Sequence, residues 1–85
     1  MKEFTYKICD EVGIHARPAG LLVKKAGAFR SEITIFKNEK SADAKKLFAV
    51  MGLGVKTGDT VRVQILGEDE DIAAADMEKF FRDNL

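Results

Sequence analysis

Apolar and polar residues recur along this chain with two different periods, and the changes of period mark its elements. Phe4, Tyr6 and Ile8 alternate with Thr5, Lys7 and Cys9, the period of a strand with one buried face. From Ala19 the period lengthens, and Ala19, Leu22, Ala26 and Phe29 predict a helix that ends around Gly27-Ala28. Ile33 and Ile35 then alternate with Glu32, Thr34 and Phe36 as a second strand. Asn38-Glu39 turns the chain, and Lys40 to Asp43 returns as a third strand. Ala44 to Gly52 carries good helix formers bracketed by Gly52 and Gly54, which predicts a helix of about two turns. Past the Thr57-Gly58-Asp59 turn, Val61, Val63 and Ile65 alternate with Arg62 and Gln64 in the clearest strand of the sequence, closed by Gly67. From Asp69, acidic residues fill a first helical turn. Ala73, Met77, Phe80 and Phe81 follow as an apolar stripe, with Lys79 and Arg82 near the end, where the helix dipole favours cations.

The predicted order is strand, helix, strand, strand, helix, strand, helix. With one alternating face per strand, the sheet should be antiparallel and covered by helices on one side, an α+β arrangement. The 85 residues predict one domain spanning 1–85, and a chain of this size buries about 60 to 65% of its unfolded surface, enough for one modest core. Hydrophobic residues at 46% and charged residues at 33% describe a globular chain and not a disordered one. There is no internal repeat or low-complexity tract. No apolar run approaches the roughly 20 residues that cross a bilayer, and no signal-peptide pattern opens the chain, so a cytoplasmic protein without membrane insertion is expected.

Composition also removes several chemistries. A formal net charge of zero argues against broad nucleic-acid binding, although Arg17, Lys24 and Lys25 gather in one region while Glu68 to Asp71 form an acidic run. One cysteine, Cys9, excludes an internal disulfide framework; near a strand end it is expected to be a buried structural thiol. One cysteine and one histidine cannot assemble a tetrahedral zinc site within the chain, so no metal is expected, and no cofactor. The acidic run lacks the alternating ligands and distal glutamate of a calcium loop, and a helix start explains it. No nucleophile elbow, Walker loop or pair of catalytic carboxylates can be placed, so no substrate pocket is in prospect.

What remains is the only histidine, His15, in Gly13-Ile14-His15-Ala16-Arg17-Pro18-Ala19, where the strand period gives way to the helix period. Pro18 falls in the first helical turn, where its missing N–H costs nothing, so His15 lies at the helix N-terminus. There the unpaired N–H groups of Ala16 and Arg17 and the positive end of the dipole favour a phosphate. Arg17 adds a fork of donors suited to phosphate oxygens. Imidazole, with a reference pKa of about 6.5, is partly neutral near pH 7 and can act as a nucleophile. The phosphoramidate it forms is a high-energy bond from which the group can be passed onward. These residues read as a phosphorylatable imidazole with its own anion cradle, and they do not choose between its two nitrogens.

The segment Gly13 to Ala19 resembles the active-site signature of the HPr family, the histidine-containing phosphocarriers of the bacterial phosphoenolpyruvate-dependent sugar phosphotransferase system. Ser31 to Ile35, Lys40 to Lys45, Leu47-Phe48 and Leu53-Gly54 fall where that family has similar segments, so the resemblance runs from about Phe4 into the final helix. It implies an open-faced β-sandwich, a four-stranded antiparallel sheet with three helices on one face. It implies attachment at Nδ1 of His15, a phosphoryl group received from enzyme I and passed to enzyme IIA domains, and a stoichiometric carrier in place of a turnover catalyst. It further implies that the short helix docks partners. Leu47 and Met51, at i and i+4, share a face and are expected to make contact, Phe48 reads equally as core or contact, and Gly20, Leu21 and Lys24 on the first helix extend the patch. A monomer is expected, because that face must be free. Two positions depart from the family pattern. Lys46 stands where a regulatory serine opens the short helix in Gram-positive members. Val12 stands where the family has a small polar residue. Both keep open an alternative, a regulatory module of the nitrogen-related branch or one that docks to transcriptional regulators.

Overall fold

The computed structural model describes residues 1–85 and contains four strands and three helices in the predicted order. They are β1 (Lys2–Lys7), α1 (Ala16–Gly27), β2 (Glu32–Lys37), β3 (Lys40–Asp43), α2 (Leu47–Gly52), β4 (Thr60–Leu66) and α3 (Glu70–Asn84). The strands form one antiparallel sheet in the order β1-β4-β2-β3. β4 is thus central although it comes last, and it zips the first strand to the hairpin.

Register explains why only one face is covered. Phe4 lies opposite Val63 and Tyr6 opposite Val61, while Ile33 pairs with Ile65 and Ile35 with both Val63 and Ala42. All of these point to the helical layer, because side chains directly opposite one another share a face. The intervening positions, among them Thr5, Arg62, Gln64, Glu32 and Thr34, form the open face. There the Arg62 guanidinium lies 4.5 Å from the Phe36 ring centroid and its Nε is 3.2 Å from Glu3 Oε1. On the covered face, Phe81 of α3 is fully buried and meets the rings of Phe4 and Tyr6 edge-on at 5.6 and 5.7 Å. Edge-on ring pairs add about 0.5 to 1.5 kcal/mol each beyond the area they bury. α1 packs against both α2 and α3, α3 lies over β1 and β4, and α2 lies by β3.

Two expectations are corrected. The short helix begins at Leu47 and not at Ala44. Ala44 N–H is still bonded to the Ile33 carbonyl at 2.9 Å, extending the hairpin ladder, and Asp43 then turns the chain by accepting from Lys45 N–H at 2.9 Å. Sheet pairing and an aspartate turn therefore override the helix propensity of Ala44 to Lys46. Cys9 is exposed instead of buried. Ile8 takes the inward position past the end of β1, so strand alternation sends Cys9 outward, with its Sγ 3.5 Å from the Lys7 carbonyl.

α3 is placed by a contact that patterning did not foresee. Asp69, just before the helix, accepts from Arg30 N–H at 2.9 Å, from Ser31 N–H at 3.0 Å and from the Ser31 hydroxyl. Ser31 is the buried polar residue of the fold, and this bond satisfies it. A side chain at Gly67 would collide with Ser31, with a Cβ only 2.6 Å from its Cα.

Candidate functional site

His15 is the N-cap of α1 with extended backbone, φ −103° and ψ −169°, and its carbonyl accepts the first helical bond, from Ala19 N–H at 2.9 Å. Its side chain does not cap the helix. The N–H groups of Ala16 and Arg17 donate to no acceptor in the protein, as expected of a helix start without a capping side chain. The first turn carries no acidic residue, and Arg17 is exposed beside it. The first turn of α1 thus holds two unbonded amides and an exposed arginine next in sequence to an imidazole whose side chain is 39% exposed. Pro18 is buried in the first turn and prepays its φ.

The loop that presents His15 is held from several sides. Gly13 has φ +81°, and a Cβ there would meet the Val55 carbonyl oxygen and sit 2.6 Å from Lys56 Cα. Only glycine combines that conformation with so close an approach. Ile14 N–H donates to the Val55 carbonyl at 3.1 Å, Gly13 N–H to the Asp10 carbonyl at 3.2 Å, and the Thr57 hydroxyl to the same Asp10 carbonyl. Asp10 N–H donates to the Leu85 carbonyl at 2.7 Å. The segment after α2 is anchored in turn by Asp59, which accepts from Lys56 N–H at 2.8 Å and pairs with Lys37 Nζ at 3.0 Å. The Lys56 amide first and then Lys37 hold its carboxyl below the usual carboxylate range. Val12 is exposed, so a valine there costs little packing.

Asp10 was not among the residues singled out from sequence. Its Oδ2 lies 3.8 Å from His15 Nε2 and accepts from Val12 N–H at 3.1 Å. The available signal was the spacing Asp10-x-x-Gly13, an aspartate opening a turn closed by glycine.

The expected docking residues separate on burial. Phe48 is 85% exposed, an extreme value for a phenylalanine, and Met51 and Leu21 are 38% and 42% exposed. Leu47, expected to be a contact residue, is half-buried and packs against the core. Gly20 and Lys24 are exposed, and Leu21 and Lys24 line a shallow groove with Ala28 and Phe80 between α1 and α3. Lys46 is exposed at the start of α2, where its side chain makes no capping bond. No helix is long and apolar enough to cross a membrane.

Residues 2–83 match the family described as "PTS HPr component phosphorylation site". The phosphocarrier protein HPr of Mycoplasma capricolum subsp. capricolum is 45% identical over 73 residues, 86% of this chain and 82% of that one. A solved Mycoplasma histidine-containing phosphocarrier protein is similar with a TM-score of 0.93 and 40% identity, covering 96% of this chain and 93% of that one. The Bacillus subtilis catabolite repression containing protein Crh is similar at a TM-score of 0.78 and 31% identity, covering 94% and 92%.

Proposed function

This chain belongs to the HPr family of phosphocarriers, and from that premise we propose that it carries a phosphoryl group on His15 from phospho-enzyme I to enzyme IIA domains during sugar uptake in the cytoplasm. The observation that carries this reading is the half-exposed imidazole at the start of α1, beside two unbonded amides and Arg17 in a first turn without a carboxylate. His15 is the nucleophile. Ala16 and Arg17 amides and the Arg17 guanidinium hold the phosphoryl oxygens, which is the electrostatic and positioning work that phosphoryl transfer needs. Phe48 and Met51 on α2, with Gly20, Leu21 and Lys24 on α1, form the patch for both partners. A small patch suits a carrier that must release each of them quickly. The protein acts stoichiometrically and as a monomer.

Incubation with enzyme I, phosphoenolpyruvate and magnesium, followed by intact mass, tests the assignment. One acid-labile phosphoryl group is expected, absent from a folded His15→Ala variant. A modified alanine variant, or no modification by an enzyme I active on another family member, refutes it. The likeness to Crh supports a second reading, a regulatory module that signals by docking to transcriptional regulators. A phosphorylated protein that passes nothing to any enzyme IIA favours that reading.

A further inference from the structure

We propose that Asp10 is a positioning residue for His15, holding the Nε2 side of the imidazole so that Nδ1 receives the phosphoryl group. This deepens the carrier reading and rests on it. Asp10 Oδ2 stands 3.8 Å from His15 Nε2 and accepts from Val12 N–H at 3.1 Å, so the backbone fixes the direction in which the carboxylate points. The residue is itself held at three points: its N–H on the Leu85 carbonyl, and its carbonyl by Gly13 N–H and the Thr57 hydroxyl. The backbone of Asp10 is thus fixed, and turning its carboxylate away from the imidazole breaks the bond from Val12 N–H. Val12 offers no side-chain hydrogen bond to this loop, and Asp10 supplies one from two positions upstream.

The chemistry gives the pair its purpose. The Nδ1 lone pair attacks phosphorus, and the N–P bond forms as the bond from phosphorus to the donor's leaving atom breaks, that atom keeping the electron pair. The ring retains its Nε2–H and gains a positive charge, which the Asp10 carboxylate balances from the opposite side. Onward transfer reverses the sequence, and the ring returns to neutrality without losing a proton. In hydrolytic triads a hydrogen-bonded carboxylate sets tautomer and orientation; at 3.8 Å Asp10 makes an electrostatic contact and not a hydrogen bond, so it favours the Nε2–H form through its charge. Here the two side chains are 39% and 31% exposed. Solvent screens such a pair, so the effect on rate is about tenfold and not thousands-fold.

The test uses Asp10→Asn, which keeps an acceptor for Val12 N–H while removing the charge, and Asp10→Ala, which removes both. Two-bond 1H–15N spectra of the His15 ring in mildly alkaline solution report which nitrogen bears the proton. Phosphorylation by enzyme I, timed by intact mass, reports the transfer rate. The wild type should hold its proton on Nε2. The asparagine variant should gain the Nδ1–H form and accept phosphoryl about tenfold more slowly. A slower asparagine variant with an unchanged proton distribution makes Asp10 a brace for the loop and overturns the inference, as does an unchanged rate. If the wild type takes no phosphoryl group, the carrier reading fails by itself. The spectra then decide the role of Asp10: a shifted proton supports it and an unshifted one overturns it.

Discussion

The two long helices begin in opposite ways. At the start of α3, Glu70 and Asp71 supply negative charge to the first turn, Glu70 Oε1 accepts from Gly67 N–H at 3.3 Å and its other oxygen meets the Met1 ammonium at 2.8 Å. Asp69 just ahead of them is spent on Arg30 and Ser31. At the start of α1 there is no acidic residue and no capping side chain, and Arg17 adds positive charge where the dipole is already positive. The first arrangement is complete within the chain and holds the fold together. The second is unfavourable by itself and becomes favourable when an anion arrives, which is how a helix terminus can be kept for cargo. The first turn of α3 is neutralised by its own carboxylates and that of α1 is not, its nearby Asp10 carboxylate lying upstream against the His15 imidazole at 3.8 Å.

Supplying the missing charge should break the contrast most severely. Ala16→Asp places a carboxylate in the first turn of α1, where it should raise stability by about 0.3 to 1 kcal/mol while lowering phosphorylation at least 100-fold, because it repels and displaces the phosphoryl oxygens. Urea unfolding and timed intact mass measure the two, and an unaltered transfer rate would mean that the amides do not hold phosphate. Removing charge tests the same end from the other side. Arg17→Ala should slow transfer by roughly 10- to 100-fold with a smaller change in affinity for partners, read by single-turnover kinetics beside calorimetric binding.

Smaller effects are expected away from the phosphate. Phe48→Ala should leave stability within about 0.5 kcal/mol, since the ring is 85% exposed, and weaken partner binding by roughly tenfold. A large loss of stability would show that the ring packs in solution. At α3 the expected change is in pH response. The Ser31 hydroxyl first and the Arg30 amide next hold the Asp69 carboxyl below its ordinary value. A lowered native pKa contributes stability that is fully present above the unfolded carboxylate pKa of about 3.9 and is lost as pH falls through the native value. Asp69→Asn should therefore lower the melting temperature near neutrality and flatten its decline on acidification. Parallel declines in variant and wild type would exclude the Ser31 bond as the source.

Much of the molecule was readable in local patterning. Alternation in β1, β2 and β4 and the longer period of α1 and α3 identified the elements, because one-sided burial imposes those periods on any strand or helix in this layered fold. The place of His15 and Arg17 at the start of α1 was readable for a similar reason, since the start of a helix is a local event and its spare donors come with it. The short helix was less so. Its first turn was claimed by Asp43 and the hairpin ladder, partners that helix propensity does not see.

Fold-level contacts decided the rest. The central place of β4, the exposure of Phe48 against the half-burial of Leu47, and the bond from Asp69 to Ser31 all depend on which surfaces meet. Asp10 belongs here as well. Its residue type announces a turn, but its alignment on His15 requires the Leu85 carbonyl, Thr57 and the Val55 segment to converge from distant parts of the chain. Periodicity records which side of an element is buried, and it carries no record of what lies across the gap.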